Sequence, residues 1–406
     1  MRLKVMPRPW TAPRTRTLIA LLAFVLGLGT IPHRLCERDA QAYFEGDAAS
    51  VDRLATSVAR WTEDRSLAAA AFSTGSKRFD AEWLFGTYMM AAMGFGQVAL
   101  ETRDPSRKRE SITRMERCLD AVLGPSGRAF DHEAWGIDAL ASTRVAPGSP
   151  HDRGHVAYLG YAGLALGLHR VLVPSSRFAE IDDAIVAALA RRIEGSPTGL
   201  LETYPGEVYP VDNAAALGAI ALRARALGKE PPRGLGLGLA AIRSRVDRTT
   251  GLLVQAVDAG DGSPRDRARG SGTALAAYFL GFADPATSGE LYRALHRELF
   301  RTVIGFGAVL EYAPTSDTKG ARGHGDIDSG PIALGFGVSA TGFALGASRM
   351  NDDRDVFASL YATAHLFGAP FDTAAQRTFA TGGPLGDAIL FAMITAPRRT
   401  AEGSAS

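Results

Sequence analysis

The sequence predicts an all-α (α/α)6 toroid, with six inner and six outer helices and short strands in the connecting loops. Three observations predict it. Apolar helix openings rich in small residues recur at Gly86, His155, Asn213, Gly272, Gly330 and Gly383, in steps of 69, 58, 59, 58 and 53 residues. Amphipathic helices fall between them. Polar residues collect where the apolar helices begin, in segments turned by Gly and Pro.

In chain order, the inner openings are Gly86-Thr87-Tyr88-Met89, Gly154-His155-Val156-Ala157, Asp212-Asn213-Ala214-Ala215, Ser271-Gly272-Thr273-Ala274, Ser329-Gly330-Pro331-Ile332 and Gly382-Gly383-Pro384-Leu385. Pro331 and Pro384 stand where a first helical residue belongs. Small apolar residues on every side describe buried helices whose backbones approach closely. The intervening stripes are Ile112, Met115, Leu119 and Val122; Ile181, Ile185, Leu189 and Ile193, with Asp182, Asp183, Arg191 and Arg192 opposite; and Leu291, Leu295, Leu299 and Val303. Apolar spacing with a polar back describes an outer, half-exposed layer. Pieces at 127–130, 199–202, 251–254 and 307–311 read as brief strands leading from outer to inner helices. A polytopic membrane protein, with spans at 164–173 and 332–347, is the rival architecture. Charged amphipathic helices between the runs, and Asp, Asn and Arg beside them, count against it.

With 406 residues, 46% of them hydrophobic, the chain can bury a large core. A formal net charge of +2 and the lack of a basic stripe with interleaved aromatics argue against nucleic acid as a partner. Cys36 and Cys118 are the only cysteines, too few for a disulfide framework or a cysteine metal site. Arg2, Lys4, Arg8, Arg14 and Arg16 precede an apolar run from Leu18 to Ile31. That run matches a signal-peptide core and is short for a spanning helix. Ala40-Gln41-Ala42 offers a cleavage site. The expected organisation is therefore a leader or membrane anchor over 1–42, the toroid over 43–397 and a disordered tail over 398–406. The body is expected outside the cytoplasm, tethered by the N-terminal segment if that segment is not cleaved.

In such a toroid the inner helices all start at one end, so their N-termini and loops share one mouth. The segment from Glu202 to Asn213 is the densest in chemistry. It holds Glu202, Thr203, Tyr204, Glu207, Tyr209, Asp212 and Asn213, shaped by Pro205, Gly206 and Pro210. The same mouth should receive His155, Tyr158, Asp131, His132, Glu133, Trp135, Glu311, Tyr312, His324, Asp326 and Asp328. Carboxylates, phenols and a histidine under apolar walls suit acid–base chemistry. The expected catalytic residues are Asp212, His155, Tyr204 and Glu202. The expected substrate contacts are Thr203, Tyr209, Asn213, Glu207, Trp135, Tyr158 and Asp328. The plainer reading makes Asp212 or Asn213 an N-cap and His155 a packing residue. His324, Asp326 and Asp328 complete no metal motif, and neither a metal nor a cofactor is expected. Gly234-Leu235-Gly236-Leu237-Gly238 lacks the strand and βαβ setting of a dinucleotide fingerprint. The expected partner is a small-molecule substrate, and a homo-oligomer is left open.

The pattern Thr203-x-Pro205-x-x-x-Tyr209-Pro210-x-Asp212-Asn213 at an inner-helix start resembles the corresponding loop of the linalool dehydratase/isomerase family. Gly154-His155-x-x-Tyr158-x-Gly160 is similar to that family's histidine-bearing helix. The resemblance implies an (α/α)6 enzyme that dehydrates or isomerises a small, partly apolar alcohol. It places Thr203 and Asp212 where the family carries two cysteines, with His155 as the pocket histidine. A carbohydrate-active (α/α)6 enzyme of glycoside hydrolase or lyase type, using paired carboxylates, is the alternative. A non-catalytic binding or assembly protein with an altered pocket is the third reading.

Overall fold

Small residues set the diameter of the inner layer, and a computed structural model of the chain, which describes residues 13–64, 66, 71–314 and 331–399, shows how. Among these residues, twelve helices alternate between two layers. They are α1 (Ala48–Glu63), α2 (Lys77–Glu101), α3 (Pro105–Leu123), α4 (Val156–Leu172), α5 (Ala179–Gly195), α6 (Pro210–Leu227), α7 (Arg233–Ser244), α8 (Gly270–Leu280), α9 (Pro285–Glu298), α10 (Val338–Met350), α11 (Arg354–Gly368) and α12 (Gly383–Ile394). The even-numbered helices form the inner ring, each against the next, and α12 closes on α2. The odd-numbered helices lie outside. This is the (α/α)6 toroid. Close approach depends on glycine at the tightest crossings: a Cβ on Gly94 would lie 2.3 Å from the Phe391 ring, and one on Gly218 would lie 2.6 Å from Leu164.

Helix starts differ between the layers. In the outer layer Asp47, Asp104, Asp284 and Asp353 each accept a backbone N–H at the start of their helices. In the inner layer only Ser76, before α2, does so; α4, α6, α8, α10 and α12 have no side-chain cap. Their first N–H groups point toward the mouth, where loop carbonyls or a ligand can meet them. At the opposite end the ring is tied by buried polar groups. Tyr278 donates to Gln97 at 2.9 Å, and Gln97 donates to the Ala392 carbonyl at 2.9 Å and to Thr395 at 3.1 Å. Buried Arg349 bonds both carboxylate oxygens of Glu101 and the carbonyls of Phe44 and Ala396.

Several elements differ from the expected ones. The first inner helix starts at Lys77, nine residues before Gly86. Pro331 is not a first helical residue: Ile332–Ala333 (β3) and Phe336–Gly337 (β4) form a small hairpin, and α10 begins at Val338. Gly330 lies outside the described residues. The piece at 127–130 is helical, within Pro125–Trp135, because Pro125 opens a helix and Phe130 packs its ring against Phe85 at 5.1 Å. The piece at 307–311 does form a strand, β2 (Phe306–Val309), paired with β1 (Phe300–Val303). Leu253 and Val254 make only isolated bridges, and 199–202 makes none. Asp182 and Arg192, expected on the polar back of α5, are buried. Arg192 turns inward to bind the Ser142 and Gly154 carbonyls and Asp152.

The N-terminal helix Pro13–Cys36 exposes Leu18, Ile19, Leu21, Leu22 and Phe24, and its last turns touch α11 and set His33 edge-on to Phe306 at 5.6 Å. No helix among the described residues is long and apolar enough to cross a membrane.

Candidate active site

The loop before α6 folds into a tight reversal. Thr203 N–H donates to the Glu207 carbonyl, Glu207 N–H returns to Tyr204, and Gly206 takes φ +80° at the tip. Glu202 Oε1 accepts the Gly206 N–H at 2.9 Å. Pro210 is the first residue of α6, so Asp212 lies within the first turn and the cap position belongs to Tyr209. Neither Asp212 nor Asn213 is an N-cap. Asn213 is a staple: its Oδ1 accepts Leu201 N–H at 2.7 Å, and its Nδ2 donates to the carbonyls of Leu201 at 3.0 Å and Tyr209 at 3.1 Å.

Asp212 has a different setting. Tyr161 of α4 donates to Oδ1 at 2.8 Å, and Thr203 donates to Oδ2 at 2.8 Å. The Thr203 hydroxyl in turn accepts Tyr209 N–H at 3.2 Å. Beside it, Tyr204 donates to Glu82 at 2.7 Å, and the Arg78 guanidinium lies 4.0 Å from the Tyr204 ring centroid. Burial first, and then the two carboxylates, hold both phenols protonated: Tyr161 and Tyr204 each sit well above the usual tyrosine range, and each feels both Asp212 and Glu82. Asp212, Glu82, Tyr161 and Tyr204 therefore form one electrostatic cluster at the start of α2, α4 and α6. Glu82 and Arg78 were not among the expected residues. They belong to the two turns of α2 that precede Gly86, which the apolar pattern does not reveal. Ser76, with Asp80 in the following turn, is the helix-start signal that points to them.

His155 lies outside this cluster. It adopts φ +62°, sparsely populated for a non-glycine residue, directly after Gly154 at φ +54°. Its Nδ1 is 2.6 Å from Asp131, and its ring stacks on Trp135 at 4.5 Å. Burial pushes the Asp131 carboxyl up, and the histidine opposes that shift. The helix Pro125–Trp135 carries both partners, while Phe130 on the same helix anchors it near Phe85 and Tyr158. Tyr158 turns away from the mouth and donates to the Val122 carbonyl at 3.1 Å. Glu207 accepts from the Tyr209 phenol at 3.0 Å on the exposed side of the loop. Glu202 is 3.8 Å from Arg153. On the far side, buried Glu311 accepts from Ser271 at 2.5 Å at the start of α8. Asp328, with His324 and Asp326, lies outside the described residues. Among the described residues no cluster of three or more His, Cys, Asp or Glu side chains could hold a metal ion. Cys36 and Cys118 are free and buried.

No family model matches the sequence, and no curated protein matches it. Solved structures resemble the fold. An inactive variant of the family 76 α-1,6-mannanase of Salegentibacter sp. HEL1_6, in complex with α-1,6-mannotetrose, superposes with a TM-score of 0.50 at 12% identity, over 86% of this chain and 99% of that one. A second structure of the Salegentibacter mannanase gives 0.49 at 12% identity, over 86% and 98%. A family 76 glycoside hydrolase from a bovine Bacteroides thetaiotaomicron strain gives 0.46 at 10% identity, over 78% and 68%. At such identities the likeness establishes the toroid and nothing finer.

The comparison corrects the expected resemblance to the linalool dehydratase/isomerase family. The toroid that superposes at a TM-score of 0.50 is an α-1,6-mannanase, and the expected dehydration or isomerisation of a small alcohol, with its lyase and isomerase assignments, gains no support from it. The loop geometry explains why the motif misleads. Pro210 starts α6, Asn213 staples the loop to Leu201, and Thr203 and Asp212 bond each other, so the shared residues report how the loop is built.

Proposed function

We propose that this chain is a carbohydrate-active enzyme of the glycoside hydrolase type, with Asp212 and Glu82 as its pair of carboxylates. The observation that carries this reading is their convergence from two inner-ring elements on one cluster, each held by a phenol. Glycosidic bonds are cleaved by two carboxyl groups flanking the scissile bond, one giving a proton to the leaving oxygen and the other activating water or attacking carbon. Asp212 receives two hydroxyl donors, which suits the second role, and Glu82 takes the first. The mannotetrose-bound mannanase of like fold supports an oligosaccharide as substrate. Glu207, Tyr209 and Glu202 on the loop rim, with Trp135, are proposed sugar contacts; Thr203 positions Asp212, and Asn213 and Tyr158 hold the scaffold. His155 is proposed as a binding residue. Export of a toroid spanning 43–397, with 1–42 as leader or anchor, belongs to the same proposal and rests on the basic residues before the Leu18–Ile31 run.

The test is to incubate the full chain with α-1,6-linked mannooligosaccharides and a panel of neutral and acidic oligosaccharides, and to follow the addition of water by mass spectrometry. Cleavage by the wild type and its loss, by roughly 10²-fold or more, in Glu82→Gln is the expected result. Intact oligosaccharides throughout, or unimpaired cleavage by Glu82→Gln, would remove the reading.

A further inference from the structure

Around the start of α4 lies a groove of about 410 Å³, lined among others by Trp135, Ser149, His151, Arg153 and His155. That volume is in the range of small-molecule sites, about 300–1,000 Å³. Its chemistry is one-sided. The Trp135 indole N–H and the Ser149 hydroxyl are buried and have no hydrogen-bond partner among the described residues. Arg153 lies 5.6 Å from the Trp135 ring centroid, its side chain 59% exposed, and its one acidic neighbour, Glu202, is 3.8 Å away, beyond hydrogen-bond distance. The other carboxylates nearby are held by the protein: Asp131 Oδ2 by His155, with Oδ1 lacking a hydrogen-bond partner among the described residues, Asp152 by Arg191 and Arg192, and Glu202 Oε1 by the Gly206 N–H. Asp131 does not line the groove; among the residues that do, the unmet groups are donors, and buried donors without partners are stabilised by an acceptor brought from outside.

The backbone here is built for the purpose. Gly154 and His155 take consecutive left-handed conformations, and a Cβ on Gly154 would lie 2.1 Å from the Trp135 ring. The indole can lie flat across this turn only because residue 154 has no side chain. A run of bonded residues links the wall of this groove to the carboxylates. Val156 N–H donates to the Glu202 carbonyl, Thr203 follows and binds Asp212, and Tyr161 stands six residues along α4 from His155, about 9 Å further down the helix axis.

The geometry points to this groove as the subsite for the carboxylate of an acidic sugar, which makes a uronic-acid-containing oligosaccharide, rather than a neutral one, the substrate class of the mouth. The inference rests on the saccharide reading above. Arg153 supplies the charge, and the Trp135 N–H and Ser149 hydroxyl complete the donor set.

Isothermal titration of the full chain with trigalacturonate, mannotriose and inorganic phosphate separates the sources of such an anion. Trigalacturonate should bind the wild type more tightly than mannotriose does. Arg153→Gln should weaken it by roughly tenfold or more, the worth of one charge-assisted hydrogen bond. Trp135→Phe, which keeps the ring and removes the N–H, should weaken it as well, and Asp212→Asn should leave binding intact. Equal affinity for the two trisaccharides, binding of phosphate alone, or full affinity in both Arg153→Gln and Trp135→Phe would overturn the inference. Tight trigalacturonate binding without cleavage would keep it and discard the hydrolase reading. Cleavage of neutral sugars with no acidic preference would do the reverse.

Discussion

Replacing Asp212 by Asn removes a charge and changes little of the shape. In the native chain both carboxylate oxygens accept hydroxyl donors at 2.8 Å. An asparagine keeps one acceptor and sets an NH2 against the other hydroxyl, which rotates to accept. The loss is the charge-assisted part of these bonds, about 1–2 kcal/mol, and the favourable anion in the first turn of α6, about 0.3–1 kcal/mol. Together these give about 1–3 kcal/mol, which for a domain of this size lowers Tm by roughly 1–4 °C and leaves the fold intact. Hydrolysis should fall by roughly 10²-fold or more, since the amide can neither take a proton nor attack carbon. The assay is reducing-sugar release from the oligosaccharide that the wild type cleaves, with melting followed on the same preparation. A variant that melts as expected and hydrolyses within about threefold of wild type would show that Asp212 is a structural acceptor, contrary to the scale of general acid–base effects.

Asn213→Ala leaves the buried Leu201 N–H without its partner and removes two further bonds, so stability should drop by about 2–4 kcal/mol in a denaturant titration, with the loop loosened. Burial raises the Asp182 carboxyl to about 7, with Asp183 adding to the shift and Arg223 and Arg170 opposing it, and neither oxygen has a hydrogen-bond partner among the described residues. The folded state favours the neutral acid. Its contribution is therefore full below pH 4 and is lost as pH rises from about 4 to 7. Asp182→Asn should melt near wild type at pH 4 and several degrees higher at pH 8; equal melting at both values would contradict the shift. Arg349→Met should destabilise by about 3–5 kcal/mol in thermal or urea unfolding, because Glu101 and two carbonyls lose a buried cation.

The toroid was legible because its inner helices cannot hide their composition. Gly94 and Gly218 are demanded by ring-to-ring contact, so small residues recur wherever an inner helix does. Boundaries were harder to read. The first two turns of α2 are ordinary and half-exposed, so the apolar signal began at Gly86 and Glu82 escaped notice. Gly127-Arg128-Ala129-Phe130 alternates like a strand but is helical, since Pro125 and the packing of Phe130 outweigh four residues of pattern. Asp182 and Arg192 show the limit of binary patterning. Arg192 was assigned to solvent by charge, yet it is buried by carbonyls from residues 142 and 154, which only the tertiary structure brings to it. The 202–213 loop is dense in polar groups, but its motif carries architecture as much as chemistry. Asn213 and Pro210 are spent on shape, and only the contacts of Asp212 with Tyr161 and Thr203 mark it as different.

The polar ties at the end of the ring opposite the mouth bear on synthesis. Gln97 bonds Ala392 across a separation of 295 residues, so α2 cannot acquire its second inner neighbour until α12 has been made. At about 5–20 residues per second, the apolar side of α2 waits roughly 15–60 s on the ribosome without its partner. Early repeats can pair among themselves in that time, but the circle is completed by its last helix, which places the steepest loop-closure entropy at the end of translation. Folding yield should therefore be more sensitive to substitutions on α12, such as at Phe391 where it meets Gly94, than to equally buried ones on α4 or α6, whose partners arrive within about 60 residues.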